Sequence, residues 1–118
     1  MAVIALTTGV TSASTAINVT RTTLTASDTL TFQRGASQIL SLFNSTASPV
    51  VVTLTGTAPA TLTPDGYGGS LATTGGKAIT VPASGLTIIN LDDIWAFLSG
   101  TGSVTVTGGT GVIASLHI

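Results

Sequence analysis

The chain has no cysteine and no glutamate, and of its 118 residues only three are basic and four acidic. Without thiols it has neither a disulfide framework nor a thiolate metal site, so a domain of this size must hold by packing or by association with other chains. Arg21, Arg34 and Lys77 are the only basic side chains, too few to leave an electrostatic footprint for nucleic acid. Charged residues are 6% of the chain, against about 25% in an average soluble domain, so little repulsion keeps copies apart and an assembled state is expected. Aromatics are also scarce, with one Trp, one Tyr and three Phe, which argues against an aromatic-lined ligand pocket. No apolar run reaches the length of a membrane span. The opening stretch Met1–Leu6 is apolar but lacks a positively charged n-region, and Thr7-Thr8-Gly9 ends it early, so no export signal is read and synthesis in a cytoplasm is expected.

Threonine fills what these absences leave, at about a fifth of the chain, and hydrophobic residues make up 43%. That is β-branched enrichment with enough apolar content for one modest core. Residues 1–15 read as an N-terminal arm or linker, with Val3–Thr8 either a first strand or part of that arm, and 16–118 as a single β domain. Short alternating runs follow one another: Ile17 and Val19 against Asn18 and Thr20, then Thr29-Leu30-Thr31-Phe32 after a turn at Ala26-Ser27-Asp28. Gln38–Asn44 is apolar on both faces, which predicts a central strand covered on two sides. Val50–Thr55 is expected to be its hairpin partner. Pro59, Pro64 and the glycines around Tyr67 make Ala58–Gly76 a long turn-rich loop. Lys77–Val81 and Leu86–Asn90 flank the turn Pro82–Gly85, and Ser103–Thr107 and Val112–His117 flank Gly108-Gly109-Thr110-Gly111, read as a hairpin. The whole predicts an all-β antiparallel sandwich or barrel.

One stretch departs from this pattern. Leu91, Ile94, Trp95 and Leu98 follow helical spacing, with Asn90 at the N-cap, Asp92 and Asp93 in the first turn and Gly100 where a helix would stop. It predicts a two-turn helix over Leu91–Leu98 that plugs the β core.

No catalytic constellation is legible. His117 is the only histidine, and nothing in the sequence places a carboxylate beside it. Asp92 and Asp93 point about 100° apart on a helix, poor geometry for sharing one metal ion. Asp65-Gly66 lacks the acidic alternation of a calcium loop, and Gly108–Gly111 has neither the lysine nor the helix of a phosphate cradle. Asn18-Val19-Thr20 and Asn44-Ser45-Thr46 match the glycosylation sequon, a frequent coincidence in a Thr-rich chain. The Thr-x-Thr units, such as Thr29-Leu30-Thr31 and Thr53-Leu54-Thr55, recur at irregular spacings and read as outward-facing strand residues rather than an ice-binding array. The chain is therefore expected to be no enzyme, with no cofactor, no metal and no small-molecule substrate, and to bind neither nucleic acid nor membrane.

Two segments, Thr22–Phe32 leading into Gln38–Asn44 and Ile88–Ile94 through Gly108–Ala114, together resemble the small all-β decoration, or cement, proteins on the heads of tailed bacteriophages. The resemblance implies a virion structural protein on the capsid exterior, with the major capsid protein as partner and a homotrimer as its form. Candidate partner contacts are Ala2, Val3, Ile4 and Leu6 in the N-terminal segment and Pro64, Asp65 and Tyr67 in the loop. The alternative is a phage tail, fibre or adhesin-like module that binds a host surface or glycan.

Overall fold

The computed structural model describes residues 2–8, 18–56, 61–62, 71–72, 76–98 and 101–118. The strands are β1 (Leu6–Thr7), β2 (Arg21–Thr23), β3 (Ser27–Gln33), β4 (Ile39–Phe43), β5 (Val50–Thr55), β6 (Thr61–Leu62), β7 (Leu71–Ala72), β8 (Lys77–Val81), β9 (Leu86–Asn90), β10 (Thr101–Thr107) and β11 (Ile113–His117). A 3-10 turn over Leu91–Ile94 runs directly into a single α-turn, α1 (Trp95–Leu98).

The protein is an all-β sandwich. One sheet has the antiparallel order β3-β10-β5-β8. The other runs β9-β4-β11, and the far side of β11 is shared by β2, antiparallel, and β1, parallel. β6 and β7 form a separate pair. Inward residues of both sheets meet in one core that includes Leu30, Phe32, Leu54, Val104, Leu40 and Leu116. Burying alternate residues of every strand is the physical reason for the period-2 pattern.

The connections differ from those expected. Gly108–Gly111 does not close a hairpin, because β10 and β11 lie in different sheets. Nor is β5 the partner of β4; it pairs with β10 and β8. The loop at Gly108–Gly111 is an arch instead. Its amides reach sideways, Gly111 donating to the carbonyl of Leu24 (3.0 Å) and Val112 to that of Gly109 (2.8 Å), while Gly108 and Gly111 take φ of 77° and 87°. The links from β3 to β4, β4 to β5, β8 to β9, and β10 to β11 all cross between sheets.

The segment from Ala2 to Thr7 is docked on both sheets, with an isolated bridge at Val3 and strand pairing over Leu6–Thr7. Ile4 N–H donates to Thr29 O (2.8 Å), and Thr29 N–H donates to Ala2 O (3.0 Å), which lays the segment along β3. Leu6 and Thr7 then cross to pair with Leu116 and His117 of the other sheet. This short piece of chain covers an edge of each sheet, and Ile4, 2% exposed, is buried at the seam. Residues 9–15 of the predicted arm lie outside the described residues, as does Gly100.

Three buried polar side chains fasten the loops, a task that the charge-poor sequence assigns mainly to amides. The Asn44 amide donates to Ser48 O (2.7 Å) and lies 3.3 Å from both Val81 O and Pro82 O, while its oxygen accepts from the Thr46 hydroxyl and N–H. It thereby ties the β4–β5 loop to the β8–β9 loop. Burial and full use of this amide close the Asn44 sequon to modification in the folded state. Gln38 bridges the β3–β4 corner, accepting from Gln33 N–H (2.7 Å) and donating to Thr31 O (3.1 Å). Asp28, which the sequence assigns to a turn, lies inside β3 and is fully buried.

The helical stretch closes one end of the sandwich. Leu91 and Leu98 enter the core, and Asn90 caps the turn by accepting from Asp92 N–H (3.0 Å). Trp95 departs from the expected plug: it is half-buried against the core, with the Arg34 guanidinium 3.8 Å from its ring centroid. Half of the stretch winds as 3-10, which turns the four apolar residues through a wider arc than an α-helix would. Gly56 is needed where β5 meets this end, because a Cβ there would lie 2.2 Å from Leu98 O.

Candidate interaction surface

The two outer faces of the sandwich differ in chemistry. On the β3-β10-β5-β8 face, register places Ser27, Thr107 and Thr53 in one rank, Thr29, Thr105 and Thr55 in the next, and Thr31 beside Ser103. This is a surface of hydroxyls, with Val51 as an exposed apolar exception.

The opposite face carries an apolar patch among polar residues. Phe43 lies between Ile113 and Leu86, Ser41 between Ser115 and Ile88, and Ile39 between His117 and Asn90. Directly opposed residues of an antiparallel pair share a face, so these three ranks point outward together. Leu86 is 57% exposed, Ile88 61% and Phe43 38%, while Ile39 and Ile113 are half-buried. The charged member of the face is Arg21, on β2 beside Ser115, at the side away from Leu86 and Ile88. The strand predicted to be covered on two sides is thus central in its sheet but covered on one side only. Phe43, Leu86 and Ile88 were not among the residues that the sequence nominated. The signal for Phe43 is the two-faced apolarity of Gln38–Asn44, which predicts burial on both faces.

The nominated residues are placed differently. Val3 and Leu6 are exposed, at 69% and 40%, and flank an open recess of about 210 Å³ together with Thr31, Gln33, Gln38 and Leu116. Ile4 faces the core and is not free for a partner. Ala2 is half-buried, and its N–H donates to the Asp28 carboxylate (3.0 Å). Pro64, Asp65 and Tyr67 lie outside the described residues.

Two acidic groups, Asp28 and Asp92, serve as fasteners. Asp92 accepts from Gly35 N–H (2.9 Å) and Ser37 N–H (3.0 Å), so its carboxylate clamps the β3–β4 corner rather than only favouring a helix terminus. Ser37 takes a φ of 54° within that clamp. Asp28 accepts from the Thr25 hydroxyl (2.7 Å), Thr25 N–H (2.8 Å) and Ala2 N–H (3.0 Å). Burial, the largest single influence on this carboxyl, pushes its pKa up, but the bonds from Thr25 and Ala2 outweigh it and hold the group below the ordinary aspartate value. His117 is half-buried between Ile39 and Thr7, and its Nδ1 has no hydrogen-bond partner among the described residues. Among the described residues, no three of His, Cys, Asp and Glu come together.

Compared with protein-family models, with curated proteins and with solved structures, the chain matches none.

Proposed function

We propose that the protein is a structural component of a phage virion that decorates the outside of the assembled head, with the major capsid protein as its partner. The observation that supports this reading is the uncharged apolar patch of Phe43, Leu86 and Ile88 on the outer face of the β9-β4-β11 sheet. A contiguous apolar face on a small domain marks a protein contact, and loops fastened by buried amides would hold that face in one shape. Head binding by such a module works through number. Each copy contributes a modest contact, and many copies on one shell together raise the free energy required to separate its subunits.

Co-sedimentation with expanded phage heads tests this. Purified protein is expected to pellet with heads and to raise the denaturant concentration at which they come apart. Folded protein that stays in the supernatant at every head concentration would overturn the reading.

A further inference from the structure

We infer that the open edge of β9 is a self-recognition edge, through which two copies pair antiparallel about a two-fold axis at Ile88. The direction of the backbone groups follows from the bonds that bracket the strand. Asn44 N–H donates to Gly85 O and Leu91 N–H to Gln38 O, both at 2.9 Å. Odd-numbered residues of β9 therefore turn N–H and C=O toward β4, and Leu86, Ile88 and Asn90 turn theirs away from the sheet. Among the described residues, β9 has no strand on that side.

The other edges are managed. Ala2–Ile4 lies along β3, and β1 and β2 cover β11. β8 is also an edge strand, but it carries Lys77, a charge of the kind that discourages edge pairing. β9 carries no charge, no proline and no bulge over Leu86–Asn90. An edge of this kind accepts an extended strand, and a second β9 fits it in register. With Ile88 opposite its own copy, Leu86 falls opposite Asn90 of the other chain, and about four backbone hydrogen bonds close across the axis, the Asn90 carbonyl being already engaged at the start of the 3-10 turn. No like charges meet there.

Pairing about an axis normal to the sheet keeps the same face of both copies on one side. Ile88 then packs beside its symmetry mate, and the two apolar faces become one. The form is two-fold, unlike the trimer implied by the phage-protein resemblance, and it stands whether or not the protein binds heads.

Sedimentation velocity and native mass measurement at micromolar concentration, without heads, test the pairing. The expected species is a dimer of the 11.6 kDa chain. Ile88→Lys, a change at an exposed position, is expected to weaken association at least about 100-fold by setting two ammonium groups at the axis, with the circular dichroism spectrum unchanged. A cross-link gives a second readout. The chain has no cysteine, and hydrogen-bonded strand neighbours lie within disulfide reach, so Ile88→Cys should link copies under mild oxidation while Phe43→Cys, one strand further in, should not. A trimer indifferent to Ile88→Lys would overturn the inference. So would a monomer in which Ile88→Cys links no faster than Phe43→Cys, or a dimer whose mass is unchanged in Ile88→Lys.

Discussion

Replacing Asp28 with alanine is expected to lower the unfolding free energy by about 3–4 kcal/mol and to release the Ala2–Thr7 segment from both sheets. The carboxylate is fully buried and receives the Thr25 hydroxyl, Thr25 N–H and Ala2 N–H. Its removal strands donors, each at a cost of about 1–3 kcal/mol, although the segment near Ala2 regains water once it lifts. Urea denaturation measures the loss, and hydrogen exchange at Ile4 and Thr29, whose N–H groups hold the segment to β3, measures the release. The same carboxylate sets an acid limb. Its folded pKa lies below the unfolded value, so its contribution is fully present above the unfolded pKa of about 3.9 and is lost as pH falls through the folded pKa. The stability difference between wild type and Asp28→Ala should therefore narrow as pH drops from 5 toward the folded pKa. A constant difference across that range would mean that the carboxylate is not the group that holds the seam.

Phe32→Ala is expected to cost about 3–5 kcal/mol, and more than Trp95→Ala. Phe32 is the largest fully buried side chain of the core, at 0% exposure, and its loss leaves a cavity between sheets held rigid by the loop fasteners. Trp95 is only half-buried, and its outer surface is covered by Arg34. Thermal or urea unfolding of both variants ranks them. If Trp95→Ala proves the costlier, the helical stretch is the centre of the core and the sandwich interior is secondary to it.

That ranking reverses the weight that composition gives to the Leu91–Leu98 stretch, and the reason is geometric. Helical spacing in the sequence identifies four apolar residues on one face, but it does not show how much of that face the ends of two sheets can cover. Leu91 and Leu98 were legible as core, and Trp95 was legible only as apolar. Strand faces were similarly readable, because Leu30 and Phe32, Leu40 and Leu42, and Val104 and Val106 alternate with residues that point outward. Strand partners were not. Alternation records which side of a strand is buried, and both sheets of a sandwich demand the same alternation, so an arch at Gly108–Gly111 and a hairpin look alike. Asp28 was hidden for a further reason: Ala-Ser-Asp has turn chemistry, and only the arrival of Ala2 and Thr25 provides enough donors to bury the carboxylate.

The candidate surface was half legible. Ile39, Leu42 and Phe43 announce a strand apolar on both faces, and Leu86, Ile88 and Ile89 do the same one strand away. What the single chain leaves uncovered becomes visible only when the sheet is closed, with Leu86 and Ile88 more than half exposed. The Thr-x-Thr units of β3, β5 and β10 face outward as their alternation predicts, yet their gathering into ranks on the opposite sheet depends on the register of those strands.

Electron cryomicroscopy of expanded heads incubated with the protein tests the central proposal most directly. The predicted result is added density on the outer shell in which the β9-β4-β11 face, with Phe43, Leu86 and Ile88, lies against the capsid protein. Bare heads at saturating protein, or sandwiches seated by the hydroxyl face of β3-β10-β5-β8, would contradict it.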